Sequence, residues 1–270
     1  MPLRGVLFDM DGVIYNEDAP IAGAAETIRW AVSNGIPHLF VTNTTSKSRK
    51  ALEEKLQRMG IEARVSRILT PSLAASEWLR TQPPGSVALF VRSAAREEFQ
   101  GFPLVDEGAE TGAAFVVIGD LGHEWDFTTL NRAFRLLHYQ PDAELIALGM
   151  TRYWQTAEGV SLDVAPFVAA LEHATGRQPR VFGKPAEAFF RAAADQLRLD
   201  RHEILMIGDD IHTDISGAQS AGLRGALVRT GKFRPADLEG QVKPDAVLES
   251  LSSLPEWWRT SGASAVNSAD

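Results

Sequence analysis

The sequence has no cysteine, which excludes disulfides, thiolate metal sites and cysteine nucleophiles and is compatible with a reducing compartment. It also lacks a basic excess. Lys and Arg total 27 against 35 Asp and Glu, a formal charge of −8, so no broad positive surface is available for nucleic acid, and any phosphate must be gripped locally. No apolar run approaches membrane-spanning length, and Asp9 and Asp11 interrupt what would have to be the apolar part of a signal peptide. These gaps lead us to expect a cytoplasmic protein with neither nucleic acid nor membrane as partner. Asn43-Thr44-Thr45 matches the N-glycosylation pattern, but without an export signal the match carries no weight. There is no internal repeat. What is present is globular: 270 residues, 44% hydrophobic and 23% charged, enough for one large domain or two ordinary ones.

Residues 3–8 are mostly apolar and predict a short buried strand, which Gly12 ends. Asp9 and Asp11 then lie at its C-terminal end, the edge at which open α/β sheets bind ligands. Two acids two residues apart can divide labour: an ionised Asp9 can attack an electrophile while Asp11 carries the proton a leaving group needs. Ionised side by side they repel, so a cation is expected. Alone, Asp-x-Asp-Gly is also the composition of a solvated turn.

Further along, a helix is expected over 20–32, after a plain connector at 13–19. A strand over 36–41 delivers Thr42 and Asn43, and a helix over 47–59 follows, with Ser46 as its N-cap. A third helix runs to Arg80, and Gln82-Pro83-Pro84-Gly85 marks a domain boundary. The middle region alternates strands (86–91, 113–118, 144–148) with helices (94–99, 127–137, 164–174) and can own a core. Residues 180–185 then form a short strand with Lys184 at its end, followed by a helix over 186–197. The strand 203–208 ends in Asp209-Asp210, and Asp214 opens a short helix. Strands at 224–229 and 246–248 complete the series, and the Ser/Ala/Asn-rich tail from Arg259 is expected to be disordered. The β-α-β-α order favours parallel strands covered by helices.

If the four strands ending at Asp9/Asp11, Thr42/Asn43, Lys184 and Asp209/Asp210 are parallel neighbours, their ends form one site. Acids attract a hard cation such as Mg²⁺, which takes one or two carboxylates, waters and a substrate phosphate. Thr42 and the N–H groups leading into the next helix suit an anion, and Lys184 adds a compact positive charge. Phosphoryl transfer needs this combination. Singly, Thr42 is equally a turn residue and most lysines are solvated. Three acids crowded after an apolar strand are costly without a cation.

Asp9-Met10-Asp11-Gly12-Val13, Val41-Thr42-Asn43, Gly183-Lys184-Pro185 and Gly208-Asp209-Asp210-Ile211-His212-Thr213-Asp214 resemble the four motifs of the haloacid dehalogenase superfamily. The long stretch between the second and third motifs matches a group with a C2-type cap. Within it, 147–153, 159–168 and Gly183-Lys184-Pro185 look closest to the branch of the phospholysine phosphohistidine inorganic pyrophosphate and para-nitrophenyl phosphatases. The resemblance implies a Rossmann-like α/β core in two pieces, 1–80 and 181–258, around a cap at 81–180, with a tail at 259–270. It implies that Asp9 is the nucleophile that forms an aspartyl-phosphate, and that Asp11 protonates the leaving oxygen and then activates water. Thr42 and the amide of Asn43 would hold the phosphoryl group, and Lys184 would neutralise it. Mg²⁺ would be bound by Asp9, the Asp11 carbonyl and Asp209, with Asp210 or Asp214 supporting it through water. Asp11 argues against dehalogenation, because halide leaves without a proton. Thr44-Thr45 departs from the Asn-Ser that many relatives carry.

The implied substrate is a small phosphorylated metabolite. Hydrolysis of P–N bonds or pyrophosphate, and phosphate binding without catalysis, are the alternatives. In the cap, Arg152 could meet a substrate anion and Tyr153, with Trp125 and Trp154, could stack on a ring. Asp120 lies nearby, and cap packing or a dimer contact is the favoured use for these residues. Trp257-Trp258 reads as a core or interface anchor. Relatives often pair subunits through caps, so a cap-mediated homodimer is expected by analogy.

Overall fold

A computed structural model of the chain describes residues 2–156 and 159–261. Strand β1 (Gly5–Asp9) is buried at every position. The segment expected to be a plain connector instead folds as an antiparallel pair, β2 (Tyr15–Asn16) and β3 (Ala19–Pro20). Helix α1 (Ala24–Ser33) turns Ala24, Thr27, Ile28 and Ala31 inward, the spacing of one helical face. Strand β4 (His38–Val41) is followed by α2 (Arg49–Arg58) and by β5 (Ile68–Leu69). Thr70 then caps α3 (Pro71–Arg80) by accepting the Leu73 N–H at 3.3 Å.

The middle of the chain forms β6 (Val87–Phe90), α4 (Ser93–Arg96), β7 (Phe115–Ile118), α5 (Phe127–His138) and β8 (Glu144–Ala147). An antiparallel hairpin of β9 (Tyr153–Thr156) and β10 (Gly159–Leu162) follows, then α6 (Val164–Thr175) and β11 (Arg180–Val181). The last part contains α7 (Glu187–Leu197), β12 (Ile204–Gly208), α8 (Gly217–Ser220), β13 (Arg224–Val228), β14 (Ala246–Leu248) and α9 (Leu254–Thr260).

The chain divides into two compact units: Met1–Thr42, Arg49–Leu69 and Lys184–Asp270 in the first, Asn43–Ser48 and Thr70–Gly183 in the second. Helix α3 and residues 181–183 thus group with the second unit, although the Pro-rich break and the return of an apolar run placed them with the core pieces. The expected tail at 259–270 begins inside a helix, since Arg259 and Thr260 belong to α9; its remainder, 262–270, lies outside the described residues.

The first unit carries a six-stranded sheet in the order β14-β13-β12-β1-β4-β5, parallel at every pairing. Its central strands are buried end to end, as parallel sheets covered on both faces require. Phe8, Phe40, Leu205, Ile207 and Val228 share one core with Leu52 and Leu56 of α2. Trp258 is buried in it and meets Trp30 edge to face at 6.4 Å. The second unit has its own parallel sheet, β11-β8-β7-β6, and its own core around Val116, Ile118, Leu136 and Val168. No helix among the described residues is long and apolar enough to cross a membrane.

Leu205 is fully buried in β12 beside β1. Leu205→Ala is expected to cost about 2–5 kcal/mol in urea unfolding, the usual range for a truncated core leucine; a loss under about 1 kcal/mol would contradict this packing.

Candidate active site

Strands β4 and β12 flank β1 on either side, with Asp9 in register with Val41 and Phe8 with Ile207. Asp9, Thr42 and Asp209, the residues at or just past these three strand ends, therefore share one C-terminal edge of the first sheet. Apolar β-strands bring the chain there, and the polar residues begin where the ladder stops. Thr42 is buried, and its N–H donates to the Leu69 carbonyl at 3.2 Å.

The fourth expected strand end is not part of that ladder. Arg180–Val181 pairs with β8 in the sheet of the second unit, so Lys184 arrives from the loop between β11 and α7. Pro185, which has no N–H to give, bars the strand from continuing. Lys184 still reaches the site. Its Nζ lies 2.6 Å from Asp9 Oδ1 and 2.7 Å from Asp214 Oδ1, and all three side chains are buried.

Burial sets the electrostatics. It pushes the Asp9 carboxyl up, Lys184 pulls it down, Asp209 raises it again, and the net shift is upward. Burial likewise raises Asp214 to about 6, with Asp9 adding to the shift and Lys184 opposing it. Asp209 also rises to about 6 through burial, opposed by the Lys232 N–H and assisted by Asp214. For Lys184 burial favours the neutral form, but Asp214 and Asp9 outweigh it and the ammonium is held more firmly than usual.

Asp9, Asp209 and Asp214 each offer an oxygen, the three within 4.8 Å of one another. Asp209 Oδ1 is buried with no hydrogen-bond partner, while Oδ2 accepts the Lys232 N–H at 2.7 Å. An orphaned carboxylate oxygen is expensive to bury. Beside two further acids it is what a hard divalent cation would satisfy, so the residues present fit a metal site.

The remaining predicted residues take distinct places. Asp11 is exposed next to the tight turn closed by the Gly12 N–H and the Tyr15 carbonyl at 2.7 Å. Asp210 Oδ1 accepts the N–H groups of His212 at 2.9 Å and Thr213 at 3.0 Å; burial would raise this acid, but those bonds win and hold it below the usual range. Asp214, expected to act through water, receives Lys184 on one oxygen and the Asp210 N–H on the other at 3.2 Å. Gly208 makes room for it, since a Cβ there would lie 2.3 Å from the Asp214 Cβ.

Asn43, Arg152 and Tyr153 fall in the second unit, the latter two exposed on its surface. Asp120 and Trp125 are committed within that unit. Asp120 accepts the Gly122 N–H at 2.7 Å and pairs with Arg92 at 3.3 Å. Trp125 stacks on Phe90 and Phe167, with ring centroids 5.9 and 4.6 Å away. The Trp154 side chain lies outside what is described. A groove of about 870 Å³ lined by Ile36, Pro37, His38 and Arg67 precedes β4, at the opposite edge of the first sheet from the acids. The sequence pattern did not mark Lys232, whose ammonium lies 3.7 Å from Asp210 Oδ2. Its only signal is a Thr-Gly-Lys turn after an apolar run.

Residues 6–103 match the family described as haloacid dehalogenase-like hydrolase, and 181–254 match one described as HAD-hydrolase-like. The chain is 36% identical over 255 residues to the human (Homo sapiens) phospholysine phosphohistidine inorganic pyrophosphate phosphatase, covering 93% of this chain and 92% of that protein. It is 38% identical over 253 residues to the haloacid dehalogenase-like hydrolase domain-containing protein 2 of Bos taurus, covering 94% and 93%. The p-nitrophenyl phosphatase from Archaeoglobus fulgidus superposes with a TM-score of 0.84 at 29% identity, covering 95% of this chain and 99% of that one. With the strand-end acids, the buried lysine and these matches over nearly its whole length, the chain belongs to the haloacid dehalogenase-like hydrolases.

Proposed function

We propose that the protein is a Mg²⁺-dependent phosphatase that hydrolyses a small phosphorylated metabolite through a phosphorylated Asp9. The observation that carries this is the buried Lys184 ammonium between Asp9 and Asp214, beside the unpartnered Asp209 Oδ1. Asp9 attacks phosphorus, and the bond to the leaving oxygen breaks as Asp11 gives that oxygen a proton. Asp11 then takes a proton from water, whose oxygen attacks phosphorus and releases inorganic phosphate from Asp9. Their settings suit these roles: Asp9 is buried, whereas Asp11 is open to solvent and can exchange its proton. Thr42, with the amide of Asn43, is assigned to the phosphoryl oxygens, and Lys184 to their charge.

Asp9 and Asp209 would hold Mg²⁺, with the Asp11 carbonyl; Asp214, and Asp210 at its turn, would support it. Bound there, the ion would neutralise phosphate oxygens that the carboxylates otherwise repel. The second unit, inserted between the second and third motifs, is assigned as a C2-type cap. Arg152 and Tyr153 are its substrate-facing candidates, and pairing through it would give a homodimer. A cytoplasmic location belongs to the same reading. Cleavage of P–N bonds or of pyrophosphate is a second reading, favoured by the name of the 36% identical human relative. Phosphoamidates, pyrophosphate and phosphomonoesters compared side by side separate the two.

Asp9→Asn should lower turnover of p-nitrophenyl phosphate with Mg²⁺ by roughly a thousandfold or more, as loss of a nucleophile does. Steady-state rates near the native value would remove Asp9 from the mechanism.

The acids also set a pH dependence. Asp209 and Asp214 titrate near 6 in the folded protein against an ordinary 3.8, so the folded state binds protons more tightly than the unfolded chain. Their contribution to stability is fully present below the ordinary value and is lost as pH rises through about 6. A cation reverses that loss by favouring the ionised acids. Mg²⁺ should therefore raise the melting temperature more at pH 8 than at pH 5, as calorimetric scans would register. An equal gain at both would show that these carboxylates do not bind it.

A further inference from the structure

The Asp209 carboxylate lies between two stretches of main chain that are far apart in sequence. From one side comes Gly12, at φ 79, and from the other Gly231, at φ 62. A Cβ at either position would lie 2.0 Å from Asp209 Oδ2. Both positions are therefore closed to a side chain twice over, by backbone conformation and by the carboxylate itself. The two glycines also face each other, since a Cβ on Gly231 would come within 2.6 Å of the Gly12 Cα. The turn after β13 is tied to the turn after β1 by the Thr230 hydroxyl, which donates to the Gly12 carbonyl at 2.6 Å. Two residues on, the Lys232 N–H donates to Asp209 Oδ2 at 2.7 Å. One carboxylate oxygen is thus held, while the other is buried without a partner.

We propose that Thr230-Gly231-Lys232 is a positioning clamp for Asp209: it fixes Oδ2 through a main-chain N–H and so presents Oδ1 to the divalent cation. The proposal rests on Asp209 being a metal ligand, as assigned above. Without the clamp the carboxylate could rotate, and cation binding would have to supply the ordering. Partners that orient metal ligands in this way typically contribute about 10–100-fold in metal affinity. The hydroxyl of Thr230 acts one step further back, by holding the turn against Gly12, and the glycine at 231 leaves the carboxylate its space.

The test is Mg²⁺ titration calorimetry on the substrate-free, full-length protein, alongside thermal melts, with Asp209→Ala as the reference for loss of the ligand. Thr230→Val, which keeps the shape and removes the hydroxyl, should weaken Mg²⁺ binding roughly tenfold or more at a temperature where the variant is folded. Thr230→Ser should restore it to near the native value, which a role in packing alone would not predict. Gly231→Ala should weaken binding in the same direction; should it not fold, the Thr230 pair decides. If Asp209→Ala abolishes binding while Thr230→Val leaves it unchanged, the clamp is refuted and the metal site stands. If neither variant alters binding, Asp209 is not a ligand and both assignments fall.

Discussion

The buried Lys184 ammonium governs the C-terminal edge of the first sheet. Asp9 and Asp214 leave water on folding, and each such carboxylate has a large desolvation cost unless it is paired. Lys184, within hydrogen-bond distance of both, offsets that cost at a point. A lysine suits the position better than an arginine would, because a compact charge with three donors can bridge two oxygens without needing the flat approach of a guanidinium. The pairing also fixes where Asp9 can be, and hence where a phosphate would meet it in the proposed reaction.

The bridge is incomplete by design of the fold. Three acids converge within 4.8 Å and Lys184 meets two of them, so Asp209 relies on a main-chain N–H and on neighbours in other turns. An apolar parallel sheet can deliver carboxylates to one edge at little strain, since the strand ends are where ladder hydrogen bonds stop and loops begin. It cannot neutralise them. The compensating groups come from segments outside the ladder: the Lys184 charge from the loop before α7, and the Lys232 N–H hydrogen bond from the turn after β13.

This explains what the sequence disclosed and what it withheld. Asp9, Asp11, Asp209, Asp210 and Asp214 follow apolar runs, and acids placed immediately after buried strands are conspicuous because they oppose the surrounding pattern. Lys184 was legible as a residue, but the strand before it was misplaced: two residues, Arg180 and Val181, contain no period by which to choose between two sheets. Strand β5 and the β2–β3 pair, each of two-residue strands, went unmarked for the same reason. The Thr230 turn was silent because its bond to Asp209 comes from a main-chain N–H, and a lone hydroxyl or glycine in a turn is too common to stand out. In the second unit, Trp125 was weighed as a ring-stacking surface and as packing, and its stacking between Phe90 and Phe167 favours packing. An aromatic in sequence does not announce which side of a sheet it covers.

Burial also separates two aspartates that composition treats alike. Asp9 and Asp11 are two residues apart, yet the first is enclosed beside an ammonium and the second is open to water. The change happens where β1 ends at Asp9: Asp11 lies past the last strand residue, beside the tight turn that Gly12 makes at positive φ. Enclosure strengthens every electrostatic contact made by Asp9 and denies it easy proton exchange, whereas exposure gives Asp11 ready exchange and weak fields. The two carboxylates are thus distinguished by position relative to the strand end rather than by residue type. Gly12 also borders Asp209, so the turn beside Asp11 makes space for the third acid as well.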